Sequence, residues 1–178
     1  MPAQVTLQTD RLQLRQLEQS DAGFILRLVN EPSWLRFIGD RNVHSVADAQ
    51  TYLREGPQRM YEQFGFGLWL VERRADGVPM GMCGLIKRET LDDIDIGFAL
   101  LPEFWRCGYA FEAAAATLRH ARKALGLARV VAITSQDNDA SGSLLEKLGF
   151  NFERMIPVVA TGESLRLYGL SLERGVED

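Results

Sequence analysis

Two rhythms of hydrophobic and polar positions run along this chain, and the places where one gives way to the other mark its elements. Leu12 and Leu14 alternate with polar neighbours, and Leu17 follows, so a first strand is predicted over residues 11–16. The spacing then changes. Phe24, Ile25, Leu28 and Val29 form the apolar stripe of a helix over 21–30, with Ser20 as its N-cap and Pro32 at its end. Trp34, Leu35, Phe37 and Ile38 show no clear period, so 33–43 reads as irregular. Ser45 with Asp48 resembles a capping box that opens a second helix to about Gln63.

Three strand-like runs come next, over 67–73, 80–88 and 93–101. Asp76-Gly77 is a hairpin signal between the first two. An alanine-rich helix is predicted over 111–125, with Gly126 past its end and Arg119, Arg122 and Lys123 near the C-terminus, where the dipole favours cations. A β-branched strand over 130–134, a helix over 139–148 stopped by Gly149, and strands over 151–155 and 164–172 complete the order β-α-α-β-β-β-α-β-α-β-β. That order is a mixed sheet with helices packed on it, an α/β (α+β) fold in one domain, 1–178.

The junction of the third run with the long helix carries the first chemistry. Trp105-Arg106-Cys107-Gly108-Tyr109-Ala110 sits between an apolar strand and a helix start. Free backbone N–H groups of a first helical turn converge on one spot and the dipole adds positive charge, so this turn is an anion site. Gly108 permits close approach of the backbone and Arg106 adds a planar charged fork. The turn lacks the Gly-x-Gly-x-x-Gly of dinucleotide binding and the Gly-Lys-Ser/Thr of a P-loop.

Composition narrows the partners. The apolar fraction of 46% is that of an ordinary full core. No apolar stretch reaches membrane-spanning length, and no basic and apolar leader is visible at the N-terminus. The net charge of −4, without a long basic patch, argues against nucleic acid as a partner. Cys83 and Cys107, His44 and His120 give neither a disulfide framework nor metal spacing. The expectation is a cytoplasmic protein, monomer or homodimer, with no metal, no nucleic-acid partner and no membrane.

Four segments together resemble the GNAT acetyltransferases, and specifically the branch that acetylates ribosomal-protein N-termini (RimJ/RimL-like). They are Thr9 to Arg15; Asp95-Ile96-Gly97-Phe98 with the turn from Trp105 through Ala113; Asn138-Asp139-Ala140-Ser141; and Glu146-Lys147-Leu148-Gly149-Phe150. The resemblance implies a twisted, mostly antiparallel sheet of about seven strands with four helices, its central strands splayed at a bulge near Gly97. It implies acetyl transfer from acetyl-CoA to a primary amine by direct attack. Backbone groups of Phe98, Ala99 and Leu100 would meet the pantetheine arm, with an N–H there facing the oxyanion. Arg106, Cys107, Gly108, Tyr109 and Ala110 would hold the pyrophosphate, and Asn138 and Ser141 would reach the pantetheine and the sulfur.

The chain departs from the superfamily in one telling place. Where many members carry a tyrosine that protonates the leaving thiolate, this chain has Leu145, so Ser141 becomes the candidate for that role. Asn138 and Ser141 also have the composition of ordinary helix caps. For the base, Asp95 is the candidate, with Asp93 second, because both share side-chain parity with Gly97. Trp34 and Phe37 are the candidate walls of the acceptor pocket.

The chemistry favours an easy amine. An α-amine titrates near about 7.7–8.0 and a lysine near about 10.4, so a weak base suffices only for the first. The acceptor expected is therefore an amine-bearing protein N-terminus. A small-molecule amine (aminoglycoside or polyamine), or a non-catalytic acetyl-CoA sensor, stands as the alternative.

Overall fold

The N-terminal alternation folds as a hairpin of β1 (Val5–Gln8) and β2 (Leu12–Gln16). The structure is a computed structural model and describes residues 4–173. Helices α1 (Ala22–Leu28), α2 (Pro32–Phe37), α3 (Val46–Leu53) and α4 (Arg59–Phe64) follow. Then come β3 (Leu68–Arg73), β4 (Pro79–Ile86) and β5 (Asp95–Leu100), the long helix α5 (Tyr109–Lys123), β6 (Arg129–Ser135), α6 (Asp139–Lys147), β7 (Asn151–Pro157) and β8 (Ser164–Ser171). All eight strands lie in one sheet in the order β1-β2-β3-β4-β5-β6-β8-β7, antiparallel throughout except for β5 with β6.

The period-2 pattern sorts side chains onto two faces. Trp69, Val71, Cys83, Leu85 and Ile96 pack with Ala113, Ala114 and Ala121, whose small side chains bring α5 close to the sheet. Leu70 and Met82 face the other way, against Ile25, Leu28, Trp34, Ala49 and Leu53 of α1–α3. The parity puts Asp95, Gly97 and Ala99 on this second face.

The sheet has one strand more than the seven expected, because β1 is a four-residue edge strand too short to show alternation. The α-helices number six among the described residues, against four expected. Pro32 does not only end α1; it opens α2 as a first-turn residue, where its fixed φ and missing N–H cost nothing. The second helix does reach residue 64, but through a π-turn at Arg54–Gln58 that accommodates Pro57, a residue without an N–H for the helical ladder. Ser45 caps α3 as expected, accepting from Asp48 N–H at 3.0 Å. Ser20 does not cap α1: its hydroxyl donates to Glu18, and the turn into α1 is held by Glu18 N–H donating to Asp21 at 2.8 Å.

The central strands do splay. β5 and β6 share one ladder pair, Asp95 with Val131, backed by Val131 N–H donating to Ile94 O at 3.0 Å. The expected bulge at Gly97 is absent. β4 and β5 stay in register from Gly81–Leu100 to Ile86–Asp95 without a shift. The divergence arises on the other side, because β6 pairs with β8 over seven residues and follows that partner instead. Gly97 serves space: a Cβ there would lie 3.3 Å from Ile86 Cδ1 and 3.5 Å from Leu68 Cδ2.

Candidate active site

Where β5 and β6 part, a cleft of about 2260 Å³ opens from one face of the molecule toward the other. It exceeds the usual size of a single-ligand pocket and has room for two substrates. Its walls include Trp34 and Phe37 at one end, Asp95 to Leu100 along the middle, and Arg106, Gly108, Tyr109 and Ala110 at the other end.

The middle is a strand with one open edge. Leu101 N–H donates to Met80 O in the direction of β4, while Ile94 O accepts from β6. Alternation of an antiparallel ladder then turns the backbone groups of Phe98 and Leu100 toward the gap and those of Ala99 toward Met82 on β4. Leu100 O is taken by Trp105 Nε1 at 2.9 Å, which fastens the turn to the strand end. Phe98 N–H is thus a donor aimed into the splay.

At the far end, Gly108 takes a left-handed conformation (φ 80°) and Arg106 does the same (φ 59°), an uncommon state for a side-chain-bearing residue. Together they reverse the chain so that α5 begins facing the cleft. No side chain caps α5: Gly108 stands at its N-cap, and the first intrahelical bond is Glu112 N–H to Gly108 O at 3.1 Å. The N–H groups before Glu112 remain available to an anion.

A side-chain clamp that no motif announces holds this turn. Arg11 Nη1 donates to Cys107 O at 3.0 Å, its Nε to Glu112 Oε2 at 2.8 Å, and its backbone N–H to Glu112 Oε1 at 3.0 Å. Thr9 adds a bond to the same carboxylate at 2.6 Å, and the Arg11 guanidinium lies 4.4 Å from the Tyr109 ring centre. Burial works to raise the Glu112 pKa, but the bonds from Thr9 and Arg11 outweigh it and hold the carboxyl below its ordinary range. Glu112 is thus held ionised, and the Arg11 guanidinium paired with it at 2.8 Å offsets its charge at the helix start. Cys107 is exposed, its Sγ bonded to Trp105 O at 3.3 Å, and its side chain is not part of the cleft wall.

Asn138 and Ser141 open α6 beside the splay. Asn138 Oδ1 accepts Ser141 N–H at 3.2 Å, so capping is Asn138's role here. The Ser141 hydroxyl makes no hydrogen bond to another described residue and lines the cleft. Leu145, where a tyrosine would stand, is buried in the core.

At the start of β5, Asp95 is 1% exposed rather than solvated. Arg88, two residues past β4, donates Nε to both of its oxygens, at 3.1 and 3.3 Å. Burial pushes the Asp95 carboxyl up to about 6 against the pull of Arg88. Asp93, the second candidate, is instead paired with Arg129 at 3.1 Å. Trp34 is buried against the α1–α3 core while bordering the cleft, and Phe37 lies under the Arg36 guanidinium, 4.7 Å from its ring centre. Arg36 reaches Asp137 on the opposite bank at 3.2 Å. Arg88 and Arg11 are residues that sequence reading did not single out.

An uncapped helix start, a strand with an open edge and a buried carboxylate meet along this one cleft. Among the described residues no group of His, Cys, Asp and Glu side chains is placed to hold a metal, and no helix is long and apolar enough to cross a membrane. The sequence profile of the Acetyltransferase (GNAT) domain matches residues 11–151. Uncharacterized N-acetyltransferase YoaA of Bacillus subtilis (strain 168) is 32% identical over 151 residues, 84% of this chain and 85% of its own. FsC-acetyl coenzyme A-N(2)-transacetylase of Aspergillus fumigatus is 29% identical over 83% of this chain and 65% of its own. Among solved structures, RimL, the ribosomal L7/L12 alpha-N-protein acetyltransferase in complex with coenzyme A, superposes with a TM-score of 0.80 over 94% of this chain and 98% of its own, at 17% identity. The chain belongs to the GNAT acetyltransferase family, and its activity is acetyl-CoA-dependent N-acetyl transfer.

Proposed function

We propose that this enzyme acetylates an α-amine, with the donor in the β5–β6 splay and the acceptor on the α1–α3 side. The observation that carries the reading is the placement of Asp95: a buried carboxylate on the acceptor face of β5, at the closed end of the splay, two residues before Gly97. The donor supplies a thioester carbonyl. Arg106 and the free N–H groups of Tyr109 and Ala110 suit its pyrophosphate, and the open edge of β5 suits its amide-bearing arm.

In this reading Phe98 N–H donates to the thioester oxygen as charge builds on it. Asp95 takes the proton of the amine as the nitrogen–carbon bond forms and the carbon–sulfur bond breaks. Ser141 Oγ donates to the departing sulfur. A base of pKa about 6 is poorly matched to a lysine near about 10.4 and better matched to an α-amine near about 8. The likeness in fold to RimL, an alpha-N-protein acetyltransferase by name, supports the same class of amine.

The test is thiol release from acetyl-CoA with two peptides and a set of polyamines and aminoglycosides. One peptide has a free N-terminus and blocked lysines; the other has a blocked N-terminus and one free lysine. The α-amine peptide is expected to react faster. Faster reaction of the lysine peptide, or turnover of polyamines or aminoglycosides alone, overturns the α-amine reading.

A further inference from the structure

Arg88 spends only part of its guanidinium on Asp95. Nε alone makes the two contacts with the carboxylate, and neither Nη atom has a hydrogen-bond partner among the described residues. The side chain is 32% exposed and lines the cleft. A guanidinium fork left open in a cleft is a binding element for a planar anion. The donor's phosphates do not reach it: Arg88 bonds to Asp95 at the start of β5, and the uncapped helix start lies beyond Leu100, roughly 16 Å or more along the strand.

Except for Asp92, the carboxylates that line the cleft are already engaged. Asp93 pairs with Arg129, Asp137 with Arg36, and Glu31 with Arg27. A second cation stands on the same side: the Tyr52 phenol of α3, raised mainly by burial, is pulled down by both Arg41 and Arg88. Any anion that fills the Arg88 fork therefore arrives with the acceptor.

We infer that the acceptor is an α-amino acid with a free carboxylate, its amine at Asp95 and its carboxylate on the open fork of Arg88. This rests on the α-amine reading above and narrows it. In an α-amino acid the two charges are separated by one carbon, and here a carboxylate and a guanidinium stand side by side to meet them. The pairing also assists the chemistry. An adjacent carboxylate raises the pKa of an amine, and Arg88 offsets that field when it binds the carboxylate. In a peptide this position holds a neutral amide carbonyl, to which the fork offers a weaker, uncharged-acceptor bond.

The experiment compares each of a set of free amino acids with its own amide, alongside the free-N-terminus peptide. It reads acetyl-CoA-dependent thiol release and, separately, the melting shift each compound gives to protein saturated with CoA. The free acids are expected to show a KM about tenfold or more below their amides, and to give the larger shift. Arg88→Gln, which also takes away the partner of Asp95, is expected to slow acids and amides alike in kcat and to erase the KM difference between them. Arg88→Lys keeps a charge beside Asp95, guards against misfolding of the first variant, and is expected to restore part of the preference. Amides or peptide reacting as well as the acids overturns this inference and leaves the α-amine reading standing. A KM preference for the acids that persists in Arg88→Gln reduces Arg88 to support of Asp95 and overturns it too. Silence toward every amine overturns both readings.

Discussion

The two ends of the cleft are built from different materials. The end proposed for the donor is made of backbone: two left-handed residues, an uncapped helix start and the open edge of β5. The acceptor end is made of side chains drawn from separate elements: Trp34 and Phe37 from α2, Tyr52 from α3, Arg88 beyond β4 and Asp95 from β5. A ligand common to a whole family can be met by backbone geometry, which survives sequence change. An acceptor particular to one enzyme must be met by side chains. The donor end should therefore resist deletion of side chains and suffer from added bulk, and the acceptor end should do the reverse.

Asp95→Asn gives the largest expected effect, a fall in kcat of about a hundredfold or more with acetyl-CoA affinity unchanged. The pH behaviour distinguishes catalysis from support. Asp95 ionises at about 6 in the folded protein against an ordinary value of 3.8, so kcat/KM should rise through pH about 6 and that limb should vanish in the variant. Stability runs the other way. Between those two pH values the folded state holds more protons than the unfolded chain, so this group's contribution to stability is present at low pH and is lost as pH climbs to about 6. An unchanged pH limb in Asp95→Asn would remove the carboxylate from the reaction.

Gly108→Val tests the donor end. A β-branched residue at φ 80° is strained, and its Cβ would stand 3.3 Å from Arg11 Nη2. Acetyl-CoA should bind about tenfold or more weakly by titration calorimetry, while Arg106→Ala, which only deletes a side chain, should cost less. Wild-type affinity in Gly108→Val would place the phosphates elsewhere.

The smallest effects separate neighbours on α6. Ser141→Ala should lower kcat by about tenfold with an unchanged melting temperature, because the hydroxyl caps nothing. Asn138→Ala should do the opposite, losing about 1 kcal/mol of stability with little change in kcat. Reversal of that pattern would exchange their roles.

Legibility in the sequence follows the same division. The turn into α5 was readable because strand, turn and helix are contiguous there and the residue types report backbone geometry. Most strands and the long helices announced themselves through period. β1 did not, because an edge strand of four residues has no room to alternate. α2 did not, because it has six residues and a proline that reads as a stop. The parity of Asp95 was visible, but its burial was not, since that depends on Arg88 and α3 arriving from elsewhere. Arg11 was visible only as part of a segment, and its clamp on Glu112 joins residues 101 positions apart.

The single ladder pair between β5 and β6 has one more consequence. A sheet with unpaired strand edges invites other chains to add to it, and proteins commonly keep such edges short, charged or covered. Here two edges face each other inside the molecule, with α5 and α6 on one face and α1–α3 on the other. An extended chain that carries amides and little else suits such a gap better than a polypeptide with its side chains. The fold holds an aggregation hazard in its interior and lets geometry decide what pairs with it.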